Sequence, residues 1–174
     1  MTLLVMPTLS CNLRCAYCSW RYRPYEKPEY GDPDILALEA IKIARETGHS
    51  EVVLHGGEPL LWPINKLEKF LNNVTKAGLR VGMQTNATLI TKKHIELFKR
   101  YGVNVGVSVD GDLEIGISRG FWRADGEPVS IEASRAVVKK VLDNIRAMRE
   151  AGVGVGIIIV LSRINFGDSE KIGK

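Results

Sequence analysis

Four stretches of this chain share one layout: an amphipathic helical pattern, a glycine, then a short run rich in valine and isoleucine. They read IARETGHSEVVLH, VTKAGLRVGMQTN, FKRYGVNVGVSVDG and MREAGVGVGIIIVLS. Gly48, Gly78, Gly102 and Gly152 stand where a helix ends on a left-handed residue. The apolar runs that follow suit buried parallel strands. Ile64, Leu67, Leu71 and Val74 mark one face of the second helix, and Val138, Val141, Ile145 and Met148 one face of the fourth. GDPDILALEA opens the first helix, with Asp32 as N-cap and Pro33 at the first helical position. LLVM ahead of it reads as an opening strand.

The predicted order is strand, cysteine-bearing loop, helix, then four more strands with helices between them. Alternation of this kind gives an α/β fold with a parallel sheet, either doubly wound and open or part of a barrel. The polar residues gather after the strand ends: cysteines after the first, HGGEP after the second, QTN after the third, SVDG after the fourth. That edge is where α/β folds bind ligands. The third and fourth repeat glycines lie about twice as far apart as the others, through an insertion near GDLEIGISRGFWRADGEPVS. No second domain or linker interrupts the pattern, so residues 1–174 read as one domain.

Composition removes several classes of function. A hydrophobic content of 45% in 174 residues supports a packed core and argues against disorder. The net charge of +4 is spread over helical segments, which gives no nucleic-acid footprint. The longest apolar run, GIIIVL, falls far short of the roughly 20 residues a membrane span needs. MTLLVMPTLSC ends on a cysteine but has no basic leading region, so it is not expected to act as a lipoprotein signal. The expectation is a cytoplasmic protein with no membrane partner.

All three cysteines, Cys11, Cys15 and Cys18, fall within CNLRCAYC. Three readings are open. Spaced at i, i+4 and i+7, the thiols could share one buried helix face, since free cysteine behaves as a small hydrophobe. They could hold a structural zinc with His55 as the fourth ligand. Or they could hold a four-iron cluster, in which three thiolates leave one iron open to a substrate or cofactor. The third explains why so few thiols sit so close together.

The spacing Cys11-x3-Cys15-x2-Cys18, with Tyr17 before the last cysteine, resembles the signature of the radical S-adenosylmethionine (radical SAM) enzymes. HGGEPLL at 55–61, QTNATLI after the third strand and SVDG after the fourth are similar to the peptide- and protein-modifying maturases, which include the anaerobic sulfatase-maturating enzymes. The resemblance implies a partial (β/α) TIM-like barrel, with about five of the usual six strand–helix units present. It implies a [4Fe-4S] cluster on Cys11, Cys15 and Cys18, with S-adenosylmethionine on the open iron. Gly56, Gly57 and Glu58 would offer backbone groups to the cofactor's ammonium, and Tyr17 would lie beside the adenine. Ser108 and Asp110 would face the ribose and carboxylate, and Gln84 and Asn86 would line the same cavity. Read without the resemblance, Gln84 and Asn86 could instead cap the helix beginning near Thr91.

The chemistry implied is reductive cleavage of the cofactor to a 5′-deoxyadenosyl radical that removes hydrogen from a peptide or protein side chain. A low-potential donor such as a flavodoxin or ferredoxin is implied with it. A non-catalytic, cluster-binding relative of the same fold is the alternative. The maturases follow S-x-D-G with a His–Asp pair and an arginine. Here DLEIGISRG lacks the pair, leaving Arg119 or Arg123 as the arginine. Against the six strand–helix units that the resemblance implies, the sequence closes soon after the fifth strand, at INFGDSEKIGK, and so reads as a piece of a longer protein, with a shortened chain as the alternative. His55 reads as structural, and His49 and His94 as solvent-facing.

Overall fold

The computed structural model describes residues 1–18, 30–123, 127–162 and 165–166. Residues 19–29, 124–126 and 163–164 and the final stretch 167–174 therefore lie outside the described residues. Five strands form: β1 (Thr2–Val5), β2 (Glu51–Leu54), β3 (Arg80–Thr85), β4 (Asn104–Ser108) and β5 (Val155–Ile158). Four helices connect them: α1 (Pro33–Thr47), α2 (Ile64–Lys76), α3 (Lys92–Tyr101) and α4 (Ile131–Glu150). Short 3-10 turns occupy Pro59–Leu61 and Gly116–Ser118.

Local chemistry sets the helix ends. The Asp32 carboxylate accepts from the N–H groups of Asp34 and Ile35 at 2.9 and 3.2 Å, and Pro33 begins α1. All four repeat glycines have positive φ, between 62° and 84°, a region that costs other residues about 1–2 kcal/mol. Each reverses the chain from a helix into the next strand.

The strands lie in the order β1-β2-β3-β4-β5, every pair parallel. A doubly wound sheet reverses direction at a switch point, whereas sequential order throughout is the winding of a barrel wall. The strand pattern by itself left both open, the resemblance implied the partial barrel, and the strand order agrees with it.

Register explains the core. Val5, Leu54, Met83, Val105 and Val155 form one row across the sheet. The first four are buried with Leu67, Phe70, Leu71 and Val74 of α2. Each such side chain contributes about 1.5–3 kcal/mol on leaving water. Alternation puts Gln84, Gly106 and Gly156 in a row on the opposite, concave face. On β5 the apolar run is half open: Ile157 and Ile158 are 54% and 50% exposed, while Val107, the register partner of Ile157, is fully buried.

One histidine departs from expectation. His94, read as solvent-facing, is buried. It sits in the first turn of α3, where its Nδ1 accepts from the Thr91 N–H at 3.2 Å and lies 2.9 Å from the Thr91 hydroxyl. It serves the cap that Gln84 and Asn86 were candidates for. His49 is half-buried at the end of α1.

Candidate functional site

Residues 11–18 form an irregular loop with one turn, Cys18 N–H to Cys15 O at 3.1 Å, so the three thiols do not share a helix face. Cys15 is buried and Cys11 and Cys18 are half-buried, all as free thiols. The loop is held from two sides by backbone hydrogen bonds. On one side Gly57 N–H donates to Thr8 O at 3.1 Å and Glu58 N–H to Ser10 O at 2.8 Å. On the other, Arg14 N–H donates to Gly120 O and Ala16 N–H to Ser118 O, both at 2.8 Å, and Trp122 N–H donates to Arg14 O at 3.0 Å. The insertion that looked shapeless in the sequence is thus the second clamp on the cysteine loop.

The first clamp explains the paired glycines. Gly56 has φ +121°, and a Cβ there would collide with the Thr8 carbonyl oxygen. A Cβ on Gly57 would collide with Ser10 O and Leu9 O. Both glycines therefore pack closely on the chain's own backbone, immediately before Cys11.

Glu58 is fully buried and points back into the sheet. Its Oε1 accepts from Leu60 N–H at 3.0 Å and from the Thr85 hydroxyl at 2.6 Å, and its Oε2 accepts from Asn86 N–H at 2.8 Å. Burial pushes its carboxyl above the ordinary value, and these three bonds oppose the shift. Glu58 ties the β2 turn to the end of β3. Its side chain is directed at protein groups on both oxygens.

Asp110 is likewise fully buried. Its Oδ2 accepts from the Tyr17 hydroxyl at 2.6 Å and the Ser118 hydroxyl at 2.8 Å. Its Oδ1 accepts from Val160 N–H at 3.0 Å and lies 3.0 Å from Arg119 Nε, an ion pair whose N–H is not aimed along the contact. With four protein partners and no exposure, both carboxylate oxygens are engaged by the chain's own groups. The Arg119 guanidinium lies over the Tyr17 ring at 5.4 Å, a cation–π distance. Burial first, and donation to Asp110 second, push the Tyr17 phenol up. Of the two candidate arginines, Arg119 stands in this cluster; Arg123 is exposed, its N–H bonded to Glu127 O at 2.9 Å.

Gln84 and Ser108 meet on the concave face, Nε2 to Oγ at 2.7 Å, with Gln84 lying across Gly106. Asn86, Ser108 and Arg119 line a common small pocket with Leu13 and Val109. His55 uses its Nδ1 to accept the Gly56 N–H at 2.7 Å.

The donor set suits a cubane cluster better than a single ion. Among the described residues, no group of three His, Cys, Asp or Glu side chains is gathered around a single metal position. A four-iron cluster places each thiolate on a different iron, so its ligands need not converge. Burial pushes the Cys11 thiol up to about 11, with the Leu13 N–H opposing. It pushes Cys15 up to about 12, opposed by the Arg119 charge and the Gly120 N–H. Groups that favour the thiolate are therefore already in place around two of the three sulfurs.

Sequence reasoning missed Asn12, Thr88, Ser118 and Asn165. Asn165 is fully buried and donates to Asp110 O at 3.1 Å and Val160 O at 3.0 Å. Their only signal was proximity to the strand ends, which does not distinguish a linchpin from an ordinary loop residue.

An α/β barrel wall with three cysteines at its ligand-binding edge defines a class of cluster-bearing proteins, and comparison with known proteins gives the class its name. The Radical SAM superfamily profile matches residues 5–172. The chain belongs to the radical SAM superfamily. It is 28% identical over 186 aligned positions to a cysteine-type anaerobic sulfatase-maturating enzyme of Clostridium novyi, covering 100% of this chain and 47% of that protein. The solved structure of native anSMEcpe with bound AdoMet superposes with a TM-score of 0.77 at 23% identity, covering 98% of this chain and 46% of that one. Streptococcus suis SuiB bound to precursor peptide SuiA gives 0.70 at 18% identity, covering 93% and 33%. The chain thus spans about half the length, or less, of these proteins. Among the described residues, no helix is long and apolar enough to cross a membrane.

Proposed function

We propose that residues 1–174 are one radical SAM core domain of a peptide- or protein-modifying enzyme. Cys11, Cys15 and Cys18 hold a [4Fe-4S] cluster with one open iron. The observation that carries this reading is the cysteine loop pinned between the Gly57–Glu58 turn and the Ser118–Trp122 segment, at the ligand-binding edge of a parallel sheet. When bound, the cluster and S-adenosylmethionine supply one-electron chemistry that generates a radical able to remove hydrogen from an unreactive carbon. The chain's residues bind and orient. The backbone groups of Gly56, Gly57 and Glu58 would receive the cofactor's ammonium, and Arg119 would supply positive charge toward its carboxylate. Gln84 and Ser108 present polar groups on the concave face, and Tyr17 offers a ring held in place by Asp110.

A peptide or protein side chain as substrate is supported by likeness to a sulfatase-maturating enzyme and to SuiB in complex with a precursor peptide. The electron is proposed to come from a low-potential donor of the flavodoxin or ferredoxin type, in the cytoplasm. The test is anaerobic reconstitution followed by iron and sulfide analysis, then reduction in the presence of S-adenosylmethionine. About four irons per chain and release of 5′-deoxyadenosine are expected. Zinc alone, or a four-iron protein that releases no 5′-deoxyadenosine on reduction, overturns the enzymatic reading.

A further inference from the structure

We propose that Asn86 is a positioning and tuning residue for the cluster, its side-chain amide donating to the Cys11 sulfur and raising the reduction potential. The inference rests on the cluster reading above and assigns Asn86 to a metal ligand rather than to the cofactor cavity.

The orientation of the amide is fixed by its neighbours. Asn86 Oδ1 accepts from Thr88 N–H at 3.0 Å and from the Thr88 hydroxyl at 2.6 Å. The nitrogen must then point the other way, where it meets Asn12 Oδ1 at 2.9 Å and Cys11 Sγ at 3.8 Å. Asn12 in turn donates to Thr88 Oγ1 at 2.8 Å. Thr88, Asn86 and Asn12 thus form a closed ring in which each side chain donates once and accepts once. The ring consumes one proton of the Asn86 amide, and the second is left for the sulfur. Sulfur is larger than oxygen, so an N–H···S contact is longer than an N–H···O bond.

The backbone of Asn86 is held as firmly, since its N–H donates to the buried Glu58 carboxylate. Ala87, next in sequence, adopts φ 58°, a left-handed conformation that non-glycine residues rarely take. A local conformation that costs energy is thereby maintained where it aims Asn86 at the cysteine loop. A second donor, Leu13 N–H, reaches the same sulfur at 3.4 Å.

The physical consequence has a definite sign. A reduced cluster carries one more negative charge than the oxidised one, spread partly onto its thiolates. An N–H dipole aimed at a thiolate therefore stabilises the reduced form more. Removing it lowers the potential.

The test uses the reconstituted holoprotein. Asn86→Asp keeps the shape and the oxygen that Thr88 needs, and replaces the N–H donor with an acceptor. Its midpoint potential is expected to shift to a more negative value at unchanged iron content. Independently, wild-type protein labelled with ¹⁵N in asparagine side-chain amides is expected to show nitrogen hyperfine coupling to the reduced cluster in pulsed EPR. That coupling should vanish in Asn86→Asp, where Asn12 is retained. A four-iron cluster with an unchanged midpoint, or wild type without amide coupling, overturns this inference and leaves the cluster reading standing. If the variant binds no iron, the labelled wild type decides alone. A wild-type protein that forms no cluster overturns both.

Discussion

The Tyr17 hydroxyl donates to Asp110 Oδ2 at 2.6 Å, joining the cysteine loop to the end of β4 across 93 residues of sequence. The same carboxylate faces Arg119, which is only 12% exposed. Removing one member of a buried ion pair strands the other charge and costs about 3–5 kcal/mol. Losing one hydrogen bond to a buried carboxylate costs about 1–3 kcal/mol. Asp110→Asn is therefore expected to destabilise more than Tyr17→Phe, and the two effects should be non-additive because they share a partner. Urea unfolding of the two single variants and the double variant measures this. A Tyr17→Phe cost equal to or above that of Asp110→Asn would sink the idea that the buried carboxylate is the hub.

Gly57 gives a second prediction, on the other side of the loop. A Cβ there would enter the space of Ser10 O and Leu9 O, both rigid backbone atoms. Gly57→Ala should therefore push away the segment leading into Cys11 while leaving the α1–α3 core intact. Iron bound per chain after reconstitution should fall steeply, with far-ultraviolet circular dichroism nearly unchanged. Full iron retention would mean that the clamp from the Gly56–Glu58 turn does not position the cluster ligands.

The barrel wall was readable from sequence because each of its signals is local. Gly48, Gly78, Gly102 and Gly152 end helices through φ alone, and Val138, Val141, Ile145 and Met148 recur at the helical period on the buried face of α4. The sheet order was not readable, since a parallel strand pattern is the same in a barrel and in a doubly wound sheet. The site was readable as a set of residues and not as a set of bonds. Glu58 and Asp110 stand at strand ends in the sequence like any ligand-facing acid, yet both are spent on protein donors. Which way a short side chain turns depends on groups far away in sequence, such as Ser118 and Val160 for Asp110. Residues 118–122 carry no periodicity, so their backbone clamp on Arg14 and Ala16 was invisible before the fold was known.

His94 supplies a pH dependence whose direction follows from its bonds. Its Nδ1 accepts from the Thr91 N–H, so the neutral ring is the form that closes the first turn of α3. Burial holds its folded-state value below the ordinary 6.5. A group depressed on folding contributes stability that is fully present above its unfolded value and is lost as pH falls through its folded value. Wild-type stability should therefore decline as pH drops from above 6.5, by about 1 kcal/mol, the scale of one helix cap. Glutamine at this position can also reach back to the Thr91 N–H and does not titrate. His94→Gln should match wild type at pH well above 6.5 and lose less on acidification. Thermal melts of the two proteins across that range measure the difference. Parallel curves would mean that His94 stays neutral throughout, or that its bond to Thr91 does not hold the helix.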